Sequence, residues 1–427
     1  MSVPEIEVHA SVQSVGTQPL PGPLVRLLAA GAGLGAASLY YSQPLLAELG
    51  HEFPAGARWT GFVPTLTQLG YALGVLLLAP LGDRHDRRQI ILVKSVVLVV
   101  GLVACAVAPT MGWMLASSLL VGVAATLAQD IVPTAAALAP DVQRGRTVGT
   151  VMTGLLLGIL LSRVVSGLIA AYWSWRIVYL GSAGVIIGLA VLLRRQLPQM
   201  APTTTLSYGA LLRSLGTLWG RHGGLRRAVV AQGLLAFAFS AFWSTLALML
   251  QDRYGLGSAV AGALGLAGAA GALAAPLAGR IADRHGSLPV TRYGTLFSVV
   301  AFASLALDAW LPTVLRMGAL VLATVVFDFG VQASLIGHQT VVYGLEPQAR
   351  SRLNAVFLTG LFLGMSLGSA TGNLLFTYGG WLAVVALMTA AAVSALIVVT
   401  VPAISARWFA SDGATVKQSA SKGGAEA

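Results

Sequence analysis

The chain has 427 residues, of which 56% are hydrophobic and only 10% are charged, and its mean hydropathy is +0.80. Soluble proteins carry about 25% charged residues, so this composition excludes soluble, disordered and collagen-like classes and indicates an all-α membrane protein. The net charge of +11 does not indicate a nucleic-acid partner, because the basic residues fall in alternate turns between apolar runs.

Apolar runs of about 20 residues, enough to cross a bilayer, recur along the whole chain. They predict about twelve transmembrane helices, at 25–48, 59–81, 90–108, 113–139, 147–171, 176–193, 228–250, 258–279, 288–309, 313–341, 352–377 and 381–402. Residues 1–24 and 404–427 are predicted to be tails. The N-terminal tail lacks the basic start of a cleaved signal peptide.

Basic residues follow the even-numbered runs far more often than the odd-numbered ones. The first group includes Arg84, Arg87, Arg88, Lys94, Arg144, Arg146, Arg194, Arg195, Arg280 and Arg284, and the second only Arg58, Arg176, Arg253 and Arg316. Basic turns stay on the cytoplasmic side of a membrane. We therefore expect a multi-pass protein of the cytoplasmic (inner) membrane with both termini inside.

The longest hydrophilic stretch, 194–227, is predicted to be a cytoplasmic linker between two bundles at 25–193 and 228–403. Within it, leucines recur at helical spacing beside Arg213 and Arg221. This pattern favours a helix lying on anionic lipid, and a solvated basic linker explains it equally well.

The two halves repeat one another. The segment RTVGTVMTGLLLG at 146–158 aligns with RLNAVFLTGLFLG at 352–364, and GDRHD at 82–86 aligns with ADRHG at 282–286. An offset of six spans preserves sidedness, so two six-helix bundles in the same orientation explain the repeat.

The polar turns at 79–88 and 279–286 resemble the signature of the major facilitator superfamily. That resemblance implies two pseudo-symmetric six-helix bundles and a conformational latch in these turns, built from Asp83, Arg84, Arg87, Arg88, Asp141, Asp283 and Arg284. It also implies that Asp83 meets the start of the eleventh span and that Arg87 reaches the acid after the fourth, Asp141. The first copy departs from the signature at Ala79 and Asp86.

Ionisable side chains inside spans are expensive and are candidates for function. Arg163 in the fifth span is expected to face a substrate path or to pair with a carboxylate, with a structural hydrogen-bonding role as the alternative. Asp130 in the fourth span and Asp328 in the tenth are candidate proton or substrate sites, with helix–helix hydrogen bonding as the alternative. His338 is a further candidate for proton transfer, because histidine ordinarily titrates near neutral pH. A structural histidine is the favoured interpretation.

Aromatic and amide residues at equivalent places in the repeat are predicted to line the central cavity: Tyr40, Tyr41 and Gln43 in the first span, and Phe242 and Trp243 in the seventh. Such walls bind hydrophobic, flat or cationic compounds, and lipid-facing aromatic packing is the alternative for any single one of these residues. The run YYSQPLL at 40–46 resembles a subgroup of bacterial efflux permeases, and Pro44 is expected to kink the helix.

Two common enzyme motifs are missing from the sequence: we find no P-loop and no HExxH, and the single cysteine, Cys105, excludes a disulfide framework. We therefore expect a non-enzymatic monomer without cofactor or metal, which contacts membrane lipid and binds a small molecule and protons. The leading hypothesis is export of small hydrophobic or amphipathic compounds in exchange for protons, powered by the proton gradient. Proton-coupled uptake of an anionic metabolite is the alternative, followed by a receptor or scaffold on a carrier fold.

Overall fold

The computed structural model describes residues 20–401 apart from residues 141 and 203, and all regular elements in this part of the chain are helical. Most of both predicted tails lies outside the described residues. We name the membrane-crossing segments spans 1 to 12 in chain order. Spans 1 to 6 are Gly22–Ala37 continued by Leu46–Glu52, Phe62–Leu78, Arg87–Ala106, Met111–Ala125 continued by Leu127–Leu138, Arg144–Tyr172 and Trp175–Gln196.

Spans 7 to 10 are Gly223–Tyr254, Ser258–Ala263 continued by Ala269–His285, Ser287–Ser304 and Thr313–Leu345. Spans 11 and 12 form the continuous element Arg350–Thr400, which Gly380 interrupts with a φ of 65°. Only glycine adopts this left-handed backbone without strain. The chain therefore reverses its direction here without a separate loop.

Nine of the described helices are long and apolar enough to cross a bilayer when each is counted as one unit. The helix Arg350–Thr400 supplies two spans, and the shorter apolar helices Gly22–Ala37 and Ser258–Gly268 begin the two interrupted spans. The prediction of an all-α fold of about twelve spans is confirmed.

Span 1 is interrupted near its middle, where the sequence predicts only a kink. The first helix ends at Ala37, and a 3₁₀ turn, Gln43–Leu45, leads into Leu46–Glu52. Pro44 has no N–H, and its ring clashes with the carbonyl four residues earlier in a regular helix, that of Tyr40. Regular helix therefore cannot run through residues 40–44, and this irregular segment places Tyr40 and Gln43 at the centre of the molecule.

Glycines let equivalent pairs of spans approach closely in the two halves. A Cβ atom on Gly158 of span 5 would collide with the backbone of Gly33 in span 1, and a Cβ on Gly364 of span 11 would collide with the backbone of Gly233 in span 7. Gly158 and Gly364 are equivalent in the sequence repeat. The repeated sequence thus makes the same helix contact twice.

The hydrophobic core has one part in each half and a third part between them. One cluster of buried side chains lies within spans 1 to 6 and a second within spans 7 to 12. A third cluster joins Tyr40 and Tyr71 of the first half to Phe357 and Phe362 of the second. We call the interface between the two halves the seam.

The seam is closed on the side opposite the basic turns. Ser366 Oγ donates to the Thr65 carbonyl at 3.0 Å, and Asn373 Nδ2 donates to the Gly61 carbonyl at 3.3 Å, so span 11 is bonded to the start of span 2. On the same side, the Ser258 N–H donates to Glu48 Oε1 at 3.3 Å. These contacts close one end of any path between the halves.

The linker contains a helix, Tyr208–Arg221, whose apolar face packs on protein. Leu211, Leu215 and Leu218 are all buried, and Leu218 contacts the cluster between the halves. Arg213 and Arg221 lie on its exposed side. This apolar face is therefore covered by the bundles themselves.

A valine at Gly158 should push spans 1 and 5 apart, because its side chain would meet the Gly33 backbone. We expect Gly158→Val to lower the free energy of unfolding by about 1–3 kcal/mol, measured as a lower thermal midpoint of the purified protein. Gly149→Val is the matched control, since a Cβ there has no neighbour within 4 Å. Equal midpoints for the two variants would contradict the close-contact interpretation.

Candidate functional site

Arg163 lies at the seam, in the middle of span 5, with only 3% of its surface exposed. Its Nε donates to Gln43 Oε1 at 2.7 Å. Its guanidinium carbon lies 4.2 Å from the ring centre of Trp243 and 4.7 Å from that of Tyr40, and the ring of Phe239 is 5.9 Å away. Hydrogen bonding and cation–π contacts thus replace part of the hydration that burial removes.

Two glycines in one short turn of span 8 leave space for the side chains of Arg163 and Asp328. A Cβ on Gly265 would lie 2.9 Å from Arg163 Cβ, and a Cβ on Gly268 would lie 3.2 Å from Asp328 Oδ2. Both glycines belong to the 3₁₀ turn Leu264–Gly268, in which side chains three residues apart eclipse one another. Arg163 from the first half and Asp328 from the second therefore meet the same face of span 8.

Several polar atoms of this centre have no hydrogen-bond partner among the described residues. They are Gln43 Nε2, Arg163 Nη2, Trp243 Nε1 and Asp328 Oδ2. Asp328 lies within electrostatic range of Arg163 and near the Trp243 indole. Unpaired polar atoms in a buried position are costly, so this arrangement is suited to a group that enters the centre and binds there.

Two of the predicted cavity residues lie elsewhere. Tyr41 packs edge-on against Tyr179 with ring centres 6.4 Å apart, inside the core of the first half. Phe242 packs against Phe327 at 4.7 Å in the core of the second half. Of the five predicted aromatic and amide residues, the seam thus brings together Tyr40, Gln43 and Trp243.

A second buried charged pair lies within the first half. Lys94 Nζ is 2.5 Å from Asp130 Oδ2, and the two side chains are only 6% and 5% exposed. The assignment of Lys94 to a basic turn is wrong, because Lys94 lies inside span 3 and pairs across to span 4. At the offset of 200 residues, its counterpart is Gly294 and that of Asp130 is Gly330, and these two glycines pack backbone to backbone.

His338 belongs to a separate polar cluster in the second half. Its Nδ1 lies 2.9 Å from the Ser334 carbonyl, and Ser334 Oγ donates to Gln232 Oε1 at 3.1 Å. These contacts tie span 10 to span 7. The His338 ring is thus held by Ser334 of its own helix, which is in turn bonded to Gln232 of span 7.

The first polar turn is held by contacts within itself and with the linker. Arg87 Nη2 donates to Asp83 Oδ1 at 2.9 Å, and Arg87 Nε donates to the Gly82 carbonyl at 3.0 Å. Asp86 caps span 3 by accepting from the Arg88 N–H, and it also accepts from the Met200 N–H in the linker, both at 3.0 Å. This turn is therefore anchored to the connection between the halves.

The remaining latch residues lie at the surface or contact the linker. Arg84, Asp283 and Arg284 are exposed at the ends of their helices, and Arg88 Nη2 donates to the Arg194 carbonyl. Asp141 lies outside the described residues. The contact expected between Arg87 and Asp141 stays a prediction.

A family model for the Major Facilitator Superfamily matches residues 28–344 and 230–424 of the chain. The chain belongs to the major facilitator superfamily. It is 39% identical over 360 residues to an uncharacterized transporter, YgaY, of Escherichia coli O157:H7, with 84% of this chain and 90% of that protein covered. It is 33% identical over 368 residues to a probable transporter of Streptomyces coelicolor, covering 84% and 82% of the two chains.

Solved structures of the superfamily share the fold. The crystal structure of a D-xylose-proton symporter matches with a TM-score of 0.70 at 15% identity, over 88% of this chain and 96% of that one. A bacterial homologue of the lysosomal transporter Spinster, in an inward-facing and occupied conformation, matches with a TM-score of 0.67 at 17% identity, over 92% and 97% of the two chains. The chain is thus a multi-pass membrane transporter, and the resemblance read from its polar turns is confirmed.

The sequence did not predict the roles of four residues in these two sites: Lys94 in the ion pair, and Phe239, Gly265 and Gly268 around Arg163 and Asp328. A lysine inside an apolar run, one span away from an aspartate inside another, is a signal for a buried ion pair that was available in the sequence. No comparable signal marks Gly265 and Gly268, because the chain holds 50 glycines. Their roles follow from the packing of span 8 on Arg163 of span 5 and on Asp328 of span 10.

Removing one partner of the pair formed by Lys94 and Asp130 should leave a buried charge without compensation. We expect Lys94→Ala to lower the free energy of unfolding by about 3–5 kcal/mol, measured as a lower thermal midpoint. The double variant Lys94→Met with Asp130→Leu should recover most of this loss, because an apolar pair needs no compensation.

The control for the ion pair is Glu52→Gln, which weakens the exposed pair with Arg176. Such surface pairs contribute about 0–1 kcal/mol, so this variant should melt close to wild type. Equal thermal midpoints for the Lys94→Ala and Glu52→Gln variants would show that the buried ion pair is unimportant for stability.

Proposed function

We propose that this protein exports small hydrophobic or amphipathic compounds in exchange for protons, by alternating exposure of the centre formed by Arg163 and Asp328. The observation that carries this proposal is a carboxylate and a guanidinium contributed by opposite halves, both buried, each with an unpaired polar atom. The resemblance of YYSQPLL to efflux permeases supports export.

Asp328 is the better candidate for the transported proton. Its Oδ2 has no hydrogen-bond donor among the described residues, whereas Asp130 already receives the ammonium group of Lys94. A proton on Asp328 would neutralise a charge that the low-dielectric interior disfavours. It would also weaken the attraction between the two halves, since the partner charge, Arg163, lies across the seam.

Coupling follows from this arrangement. With Asp328 ionised, its attraction to Arg163 favours the closed seam. When Asp328 binds a proton or a substrate displaces water at the centre, that attraction changes and the halves can rock about the fixed site. The contacts of Ser366 and Asn373 with span 2 would break in the opposite state, and the first polar turn, held by Asp83 and Arg87, would act as the latch.

Proton-coupled uptake of an anionic metabolite is the second candidate. Arg163 Nη2 is a buried donor with no partner among the described residues, and such a group binds carboxylates well. The D-xylose-proton symporter, which shares the fold, is a carrier named for the opposite coupling. A receptor or scaffold built on this fold is a third and weaker alternative.

We expect Asp328→Asn to abolish accumulation of fluorescent amphipathic dyes in proteoliposomes whose lumen is acidic, because the amide cannot exchange a proton. Asp252→Asn, an exposed acid at the end of span 7, is the matched control and should accumulate dye like wild type. Full pH-driven accumulation by the Asp328→Asn variant would refute the proton assignment. Accumulation by wild type only with an alkaline lumen would favour the uptake alternative.

We further propose that the basic turns face the cytoplasm of a bacterial cell, with the protein in the inner membrane. In a Cys105→Ser background, His85→Cys should be unreactive towards a membrane-impermeant maleimide in intact cells, and Arg58→Cys should react. Both positions are exposed and lie at opposite ends of span 2. The reverse labelling pattern would invert the topology, and the control is equal labelling of both variants after lysis.

A further inference from the structure

A narrow gap at the seam lies beside Arg163, too tight in this closed state to hold a water molecule. The residues that line it are Gln43, Pro44, Arg163, Trp243, Leu246, Ala247 and Ala261. Both halves contribute to this lining. Most of the wall is apolar, and the polar groups come from Gln43, Arg163 and Trp243.

Each of the three polar residues that line the gap has an N–H group that makes no hydrogen bond of normal length. Gln43 Oε1 accepts from Arg163 Nε at 2.7 Å, which assigns the other end of the amide as its NH₂ group. This Gln43 Nε2 and Arg163 Nη2 lack a partner among the described residues, and the Trp243 indole N–H makes no hydrogen bond of normal length there, although it interacts with the Asp328 carboxylate. All three side chains are at least nine-tenths buried, so bulk water does not satisfy these donors.

The aromatic ring faces of the centre are already occupied by a cation. The Arg163 guanidinium lies over the rings of Tyr40, Trp243 and Phe239. A lipophilic cation would have to displace this guanidinium, or approach it against charge repulsion, to reach the same ring faces. Asp328, the acceptor of the centre, does not line the gap.

We propose that the transported compound is a flat, apolar molecule that carries hydrogen-bond acceptor oxygens, neutral or anionic, and that these oxygens bind the N–H groups of Gln43, Arg163 and Trp243. This inference rests on the proposed transport function and names the class of substrate for that site. It narrows the sequence-based expectation of hydrophobic, flat or cationic compounds to those that carry acceptor oxygens. Aromatic carboxylates and aromatic ketones fit the site, and aromatic ammonium compounds do not.

Equilibrium binding to the purified wild-type protein in lipid nanodiscs tests the class without any variant. The probes share one ring system: 2-naphthoate, 2-acetylnaphthalene, 2-ethylnaphthalene and 2-naphthylmethylammonium. We expect 2-naphthoate to bind at least about tenfold more tightly than 2-ethylnaphthalene and the ammonium probe, with 2-acetylnaphthalene between them, because hydrogen bonds to charged groups are the stronger ones. Equal or tighter binding of the ammonium probe, or no detectable binding of either acceptor-bearing probe, would overturn the inference.

Trp243→Phe tests the indole donor, because it keeps an aromatic ring and removes the N–H. We expect its Kd for 2-naphthoate to rise about tenfold, while that for 2-ethylnaphthalene changes by less than about twofold. The control is Trp173→Phe, a tryptophan that is 72% exposed, which should bind both probes like wild type. An equal loss of affinity for both probes in the Trp243→Phe variant would argue against an acceptor at this position.

The binding measurement tests the substrate class, and the transport measurement tests the exchange with protons, so each hypothesis can be refuted independently. Acceptor-selective binding without proton-driven flux would refute the proposed exchange with protons and leave the substrate class standing. Proton-driven export of cationic dyes, with no preference for acceptor-bearing probes, would refute the substrate class and leave the exchange standing.

Discussion

The burial of one guanidinium at the interface of two helical bundles is the constraint on which the centre of this transporter depends. A charge in that position must replace its lost hydration, and the chain does so with an amide and three aromatic rings around Arg163. The arrangement needs an interrupted span 1, which delivers Tyr40 and Gln43, and a glycine-lined turn in span 8, which leaves room for the side chain. Two interruptions of regular helix, Gln43–Leu45 and Leu264–Gly268, thus lie beside the buried charge.

The internal repeat explains the scaffold, and the two halves differ at the charged side chains buried inside the spans. Gly158 and Gly364 make the same close contact in both halves. Arg163 has Ser369 as its counterpart at the offset of 206, and the uncharged Ser369 hydroxyl donates to the Gly61 carbonyl. The ion pair of span 3 with span 4 is likewise replaced by a contact between two glycines in the second half. Symmetry therefore holds for packing and for the charged turns, and it is broken for the charges inside the spans.

The first polar turn departs from the family signature at Asp86, and this departure has a structural consequence. Asp86 caps the start of span 3 and binds the backbone of Met200 in the linker. The Tyr208 hydroxyl, at the start of the linker helix, donates to the Leu77 carbonyl at the end of span 2. In the proposed rocking motion, the linker would either move together with this turn or lose these hydrogen bonds.

The sequence by itself determined the class, the number of spans, the repeat and the superfamily, because hydropathy, basic turns and short motifs are local properties of the chain. It also indicated Arg163, Asp130 and Asp328, since any charge inside an apolar run must have a special environment. Which charges meet was decided by the tertiary structure alone. Pairing between spans depends on helix rotation and on close contacts such as those of Gly265 and Gly268, and neither can be read from the order of residues. For the same reason Tyr41 and Phe242, adjacent in sequence to residues of the centre, face the cores of their own halves.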